Sequence, residues 1–296
     1  MTSSHHNALE PGRLFCFGLG YTGARLARRL RALGWEVSGT SRDASALNEL
    51  DADGIRGGAL ADVDLPPGTT HVLCTIPPEE TGDPVIRRHA DAIAGAKDLV
   101  WLSYLSTTGV YGDRGGEWVD ESDAPAPGNA RSHRRLAAEE AWRELGRACG
   151  VAPHIFRLAG IYGPGRNVLE SVRAGTAKRI DKPGHLFSRI HVDDIVQTLL
   201  ASMARPQAGA VYNVCDDEAA EPAVVVAYAC LMLGVAPPPL QKFDADALSA
   251  MAQSFWTENR LVWNSRIKRE LGITLRYPDY RAGLAAIHAE DPDRFK

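Results

Sequence analysis

The stretch FGLGYTG, residues 17–23, places Gly18, Gly20 and Gly23 in a G-x-G-x-x-G spacing between a short apolar run and a helical pattern. In that context Gly18 permits a tight turn and Gly20 lets the backbone approach a pyrophosphate. Gly23 lets the helix pack close to the strand, and the helix N-terminus offers N–H groups and its positive dipole end to phosphate. Leu19, Tyr21 and Thr22 complete this loop, and a glycine-rich turn with no ligand is the plain alternative. At the end of the next apolar run stand Gly39, Thr40, Ser41 and Arg42, where a site for NAD carries an acidic side chain. Arg42 offers a bidentate, charge-assisted contact to a 2′-phosphate and Ser41 a further hydroxyl. NADP is therefore the expected cofactor, with NAD the alternative if Asp43 turns inward. Thr75, Ile76 and Pro77, closing the run THVLCTIPP, and Ser106 are expected along the same ligand, because such crevices lie at the carboxyl ends of strands.

The elements that position these residues follow from periodicity. RLFCFGLG, WEVSGTSR, THVLCTIPP, LVWLSYLSTTGVYG and APHIFRLAGIYG read as strands; YTGARLARRLRALG, PVIRRHADAIAGAKD and the stretch from Gly128 read as helices. Strands alternating with helices imply an α/β fold, a Rossmann-like doubly wound parallel sheet covered on both faces. Beyond Gly163 the rhythm loosens into helices over VLESVRAGTAK, HVDDIVQTLLASMA, EPAVVVAYACLMLG and NSRIKRELG, with one strand, GAVYNV. That tail is too short for a second nucleotide-binding domain. The expected organisation is a polar, disordered leader over residues 1–11 and a dinucleotide-binding domain over 12–163, completed by about 186–215. A small C-terminal substrate lobe is expected from 164–185 and 216–296.

Bulk composition narrows the function classes. The chain has 296 residues, 45% hydrophobic and 24% charged, ordinary for a globular protein. A formal net charge of −4 gives no basis for nucleic acid or an anionic membrane as partner. Five scattered cysteines, without a C-x-x-C pair, point away from zinc or a disulfide framework and fit a reducing cytoplasm. No apolar run is long enough to span a bilayer, and the opening lacks the features of a signal peptide.

Five stretches in order, FGLGYTG, YLSTTGVYG, RSHRRLAAEE, FRLAGIYGPGRN and RIHVDDI, resemble the short-chain dehydrogenase/reductase superfamily, specifically its extended branch of nucleotide-sugar epimerases and dehydratases. The likeness covers most of the chain from Arg13 to about Val214. It implies a Ser/Thr–Tyr–Lys group beside the nicotinamide, and the hydroxyl position falls on Thr107. The tyrosine and lysine positions fall on Arg131 and Arg135. Four residues apart, they share a helix face, so the geometry survives and the chemistry does not. An arginine stays protonated and only donates, so Arg131 cannot shuttle a proton. Arg135 keeps the positive charge that would hold the nicotinamide ribose. His133, about 200° further round the helix, points elsewhere. Tyr162 is the better substitute acid, and Tyr111 is either packing or a substrate contact. Arg189 is a candidate contact to an anionic substrate. Asp193 and Asp194 read as structural, one of them or a neighbour capping the following helix.

Two functions are compatible with these residues. One is an atypical NAD(P)-dependent oxidoreductase or epimerase-like enzyme acting on a small polar carbonyl or sugar-derived substrate. The other is a catalytically silent, NADP-binding redox sensor. The family resemblance also implies a homodimer paired through two helices of the sheet domain.

Overall fold

The computed structural model describes residues 9–246, 253 and 256–290. Its first half alternates strands and helices: β1 (Arg13–Phe17), α1 (Tyr21–Ala32), β2 (Glu36–Thr40), α2 (Ala44–Ala52), β3 (Arg56–Gly58), β4 (His71–Cys74), α3 (Pro84–Ala94) and β5 (Trp101–Thr107). A 3-10 turn at Thr108–Tyr111, β6 (Trp118–Val119), α4 (Ala130–Cys149) and β7 (His154–Leu158) follow. The remainder holds β8 (Gly160–Tyr162), α5 (Val168–Arg173), β9 (Arg179–Asp181), β10 (Arg189–His191), α6 (Val192–Ala204), β11 (Val211–Val214) and α7 (Pro222–Met232). It ends with β12 (Leu240–Lys242), β13 (Leu261–Val262), α8 (Ser265–Leu271) and α9 (Tyr280–Glu290).

Seven strands form one parallel sheet in the order β11-β7-β5-β4-β1-β2-β3. The strands are buried on both faces, which is why Leu14–Phe17 of β1 and Val72–Cys74 of β4 are continuous apolar runs rather than alternating ones, while β7 buries Arg157 against Glu139. One core layer gathers Leu14, Leu26, Leu30 and Trp101 with Ile195 and Leu199 of α6; the other gathers Phe15, Phe17 and Tyr104 with Val85 and Ile93 of α3 and Trp142 of α4. The strand order reverses between β1 and β4. Their carboxyl ends therefore diverge there and leave the crevice in which such sheets bind ligands.

The main departures from expectation are local. The run from Leu99 to Gly112 is strand only to Thr107, because the Thr107 hydroxyl accepts the Gly109 N–H at 3.1 Å and starts the 3-10 turn. APHIFRLAGIYG breaks at Ala159: β7 stays in the main sheet while β8 leaves it to pair with β10. Helix α2, capped by Asp43, the edge strand β3 and the last helix α9 were not marked by periodicity. Of the expected leader, residues 1–8 lie outside the described residues. Leu9 belongs to the folded body, since it packs against the core.

Segments distant in sequence meet beside the sheet. Strand β9 pairs with β12 and β6 with β13, and in the latter pair Trp118 and Trp263 stack at 3.9 Å and 20°, each about half exposed. A third apolar cluster joins Tyr162, Leu169, Val225, Ala229, Tyr280 and Leu284. Fully buried Asp194 fastens the tail by accepting the N–H groups of Arg276 at 2.8 Å and Tyr277 at 3.0 Å. Asp193 instead pairs with Arg25 of α1 at 2.5 Å, and the cap of α6 is His191, whose Nδ1 accepts the Asp193 N–H. Among the described residues no helix is long and apolar enough to cross a membrane.

Candidate dinucleotide and substrate cleft

A cavity of about 910 Å3 opens at the divergence of β1 and β4, lined at one end by Gly20, Tyr21, Thr22, Arg42, Thr75 and Pro77. The three glycines have separable reasons to be glycine. Gly18 has φ +104°, and a Cβ there would stand 2.3 Å from Thr75 Oγ1, which itself donates to Gly18 O at 2.7 Å. A Cβ on Gly23 would meet Gly18 O at 2.2 Å, so helix and strand touch only without it. A Cβ on Gly20 would meet no atom of the chain within 4 Å. The backbone is thus bare on the cavity side at the start of α1, where no side chain caps the helix. That is the cradle a pyrophosphate needs, and these residues fit one.

The remaining cofactor candidates divide. Ser106 and Arg135 line the cavity. Leu19 turns its side chain into the core, and Ile76 packs in the layer with Phe15 and Phe17. Those two serve the loop as packing, so any ligand contact from them is through the backbone. The Ser41 hydroxyl accepts the Asp43 N–H at 3.1 Å. Asp43 accepts the Ser45 hydroxyl at 2.8 Å and the N–H groups of Ala46 and Ser45, bonds that hold its carboxyl below the usual range. The acidic side chain nearest the β2 end is therefore occupied as a helix cap, while Arg42 is on the cavity wall.

The same cavity is lined by Ser106, Thr107, Arg131 and Arg135. Because Thr107 Oγ1 accepts from Gly109, its oxygen is held and its own proton can be donated into the cleft. Ser106 donates to Glu139 Oε1 at 2.6 Å, and Glu139 is paired with Arg157 at 2.8 Å in the interior. Arg135 Nη1 donates to Tyr104 Oη at 3.0 Å and to Leu105 O at 2.8 Å, which braces its guanidinium against β5. Arg131, one turn earlier, has its pKa lowered by desolvation on the cleft wall and by the charges of Arg135, Arg134 and Arg166. Its neighbours thus make this wall strongly positive.

Two tyrosines proposed from the sequence sit differently from one another. The Tyr162 ring reaches the cavity, but its hydroxyl donates to Asp279 O at 3.2 Å and burial pushes its pKa upward, which makes it a weak acid. Tyr111 does not reach the cavity. It is fully buried, its ring lies 4.8 Å from the Arg157 guanidinium, and its hydroxyl donates to Asn213 Oδ1 at 2.9 Å. The 3-10 turn carries it inward, so the substrate contact expected of it is corrected to a packing role. Arg189 lines the cavity with Nη1 committed to the carbonyls of Phe187 and Ala220. His133 is exposed, as its position on the helix implied.

Among the lining residues not anticipated are Arg166, Phe187, Trp256 and Arg260. Arg166 follows Tyr162 within GPGRN, where a cation next to the strand end was a usable signal. The other three come from segments whose approach depends on the β8–β10 and β6–β13 pairings.

A model of the NAD dependent epimerase/dehydratase family matches residues 89–215. Protein YeeZ of Escherichia coli strain K12 is 28% identical over 281 residues, spanning 88% of this chain and 95% of that one. A 3-diazoavenalumate denitrifying reductase from Streptomyces sp is 29% identical over 303 residues, 90% of this chain and 96% of that one. Among solved structures, a functionally unknown conserved protein from Silicibacter pomeroyi DSS superposes with a TM-score of 0.89 at 47% identity, covering 94% of this chain and 99% of that one. With the glycine cradle, the parallel sheet and these relatives together, the chain belongs to the short-chain dehydrogenase/reductase superfamily, as an atypical member of its extended epimerase/dehydratase-like branch.

Proposed function

We propose that the chain is an NAD(P)-dependent oxidoreductase or epimerase-like enzyme that handles a small polar carbonyl or sugar-derived substrate without a Tyr-x-x-x-Lys pair. The observation that carries this reading is the bare Gly20 backbone opening into the same cavity as the Thr107 hydroxyl. A bound nicotinamide would supply or accept a hydride. Thr107 donates a hydrogen bond to the substrate oxygen. Arg131, which cannot give up a proton, holds an anionic group of the substrate rather than the reacting oxygen, as a fixed cation does best when partly shielded from water. Arg135, braced on β5, keeps a positive charge beside the ribose position. NADP is the preferred dinucleotide, because Arg42 lines the cavity and Asp43 is occupied as the α2 cap. The reductase name of the Streptomyces relative supports hydride transfer as the chemistry.

A silent redox sensor is the second reading, favoured by one observation: the hydroxyls of Tyr162 and Tyr111 both donate to protein atoms. Two measurements separate the possibilities. NADPH is expected to bind at least about tenfold tighter than NADH, with Arg42→Ala removing the difference; equal wild-type affinities overturn the NADP preference. Turnover of a carbonyl and nucleotide-sugar panel, followed by nicotinamide absorbance and sugar products, is expected to be lost in Thr107→Val. Tight NADPH binding with no turnover anywhere in the panel would favour the sensor.

A further inference from the structure

The cleft's lining contains two groups of side chains of opposite chemistry. One carries Arg131, from the first turn of α4, and Arg166, from the turn after β8, whose guanidinium lies 5.7 Å from the Tyr21 ring centroid. Among the described residues the cavity's lining holds six arginines and a single carboxylate, Glu258, which is paired with Arg260 at 2.7 Å. Arg134 and Arg135 press on Arg131 from its own helix, and Arg166 from the turn after β8. Guanidinium forks grouped in this way suit a carboxylate.

The other group is aromatic and preassembled. Trp256 stacks on His185 at 5.4 Å and 16°, and Phe187 meets it edge-on at 5.3 Å and 80°. Phe187, Trp256 and Leu186 all face the cavity. Residues 186–188 are held there because they lead into β10, which pairs with β8. A ring of the substrate would gain stacking and edge contacts on this surface.

Size decides between small and large aromatic anions. The whole cavity is about 910 Å3. Pockets for a single drug-sized ligand span roughly 300–1,000 Å3, and here a dinucleotide must share the space. A nucleotide sugar would need a second compartment of comparable size, whereas a single substituted ring does not.

We propose that the substrate end of the cleft receives a small aromatic carboxylate, its anion between Arg131 and Arg166 and its ring against Phe187 and Trp256. This rests on the oxidoreductase reading in one respect, that a dinucleotide fills the rest of the cavity.

The test is calorimetric titration of the full chain, with and without NADPH, using four probes. These are 4-carboxybenzaldehyde, benzaldehyde (ring without charge), succinic semialdehyde (charge without ring) and UDP-glucose. In the NADPH-loaded protein, 4-carboxybenzaldehyde is expected to bind at least about tenfold tighter than each of the others. Arg131→Ala should weaken it by about tenfold or more while leaving benzaldehyde unchanged. Trp256→Ala should weaken the two ring compounds and leave succinic semialdehyde unchanged, and Trp256→Phe, which preserves a ring in the core, should retain binding. Tighter binding of UDP-glucose, equal binding of the three small probes, or no binding of 4-carboxybenzaldehyde overturns the proposal. Failure of NADPH to bind while the aromatic carboxylate keeps this pattern would remove the oxidoreductase reading and leave the anion site standing. NADPH binding without the pattern would do the reverse.

Discussion

Ser106 gives its hydroxyl proton to Glu139 Oε1 across 2.6 Å, tying the end of β5 to the middle of α4. The same carboxylate takes Arg157 through both oxygens, at 3.1 and 2.8 Å, with side-chain exposures of only 0% for Glu139 and 4% for Arg157. Breaking such a pair from one side strands a charge in the interior. Glu139→Gln should therefore cost about 3–5 kcal/mol of stability in urea unfolding. Ser106→Ala, which removes one hydrogen bond and leaves the pair intact, should cost about 1 kcal/mol. Equal effects would mean that the ion pair is not the element that matters.

The glycines of the loop should separate binding from folding. Gly23→Ala drives a methyl to within 2.2 Å of Gly18 O and should cost about 1–3 kcal/mol, read as a fall in Tm. Gly20→Ala meets nothing within 4 Å in the chain and should leave Tm unchanged while weakening NADPH about tenfold or more. A Gly20→Ala variant with full NADPH affinity would place the pyrophosphate elsewhere.

How much of this was legible in the sequence depended on the range of the interaction. The β1–loop–α1 unit is local, set by glycine spacing and apolar periodicity, and it could be read directly. The helix carrying Arg131 and Arg135 was equally plain, since Asn129 caps it and Gly150 ends it in the left-handed region. Strand β3 was not, because RGG carries no hydrophobic alternation and gains its place only by pairing with Ser38–Thr40. The orientation of Tyr111 hung on a hydroxyl–backbone bond two residues long, which turns a strand into a 3-10 turn. The aromatic wall was invisible for a different reason: Phe187 and Trp256 lie far apart in the chain and meet through pairings no periodicity encodes.

Acid should weaken the fold through His71. It lies at 7% exposure edge-on to Trp35, and burial followed by the nearby His154 lowers its pKa to about 4. Between about pH 6.5 and 4 the unfolded chain takes up a proton that the folded chain refuses, so stability is full above 6.5 and falls as pH drops. The loss attributable to this residue is on the order of 3 kcal/mol. Urea midpoints at pH 7 and pH 4.5 should differ less in His71→Gln than in the wild type; an unchanged difference would assign the acid sensitivity to other groups.

Asp216 should act in the opposite sense. Its carboxyl is 4% exposed, and burial pushes it up to about 8 against the pull of Arg189. From about pH 4 upward the folded chain keeps a proton that the unfolded chain has released, so stability falls as pH climbs toward 8. Asp216→Asn should flatten the decline in Tm between pH 6 and 8.5. A variant that still loses Tm as steeply would show the carboxyl to be ionised in the fold.

Trp118 and Trp263 lie 145 residues apart in sequence and stack at 3.9 Å on the β6–β13 pair. Two indoles at that spacing couple their electronic transitions, so the molecule carries its own optical gauge. An exciton couplet in circular dichroism would report whether the residues around Trp263, which also lead from the lining residues Glu258 and Arg260, are seated on the β6 segment. Its amplitude under ligand titration would then follow closure of that wall of the cleft without any added label.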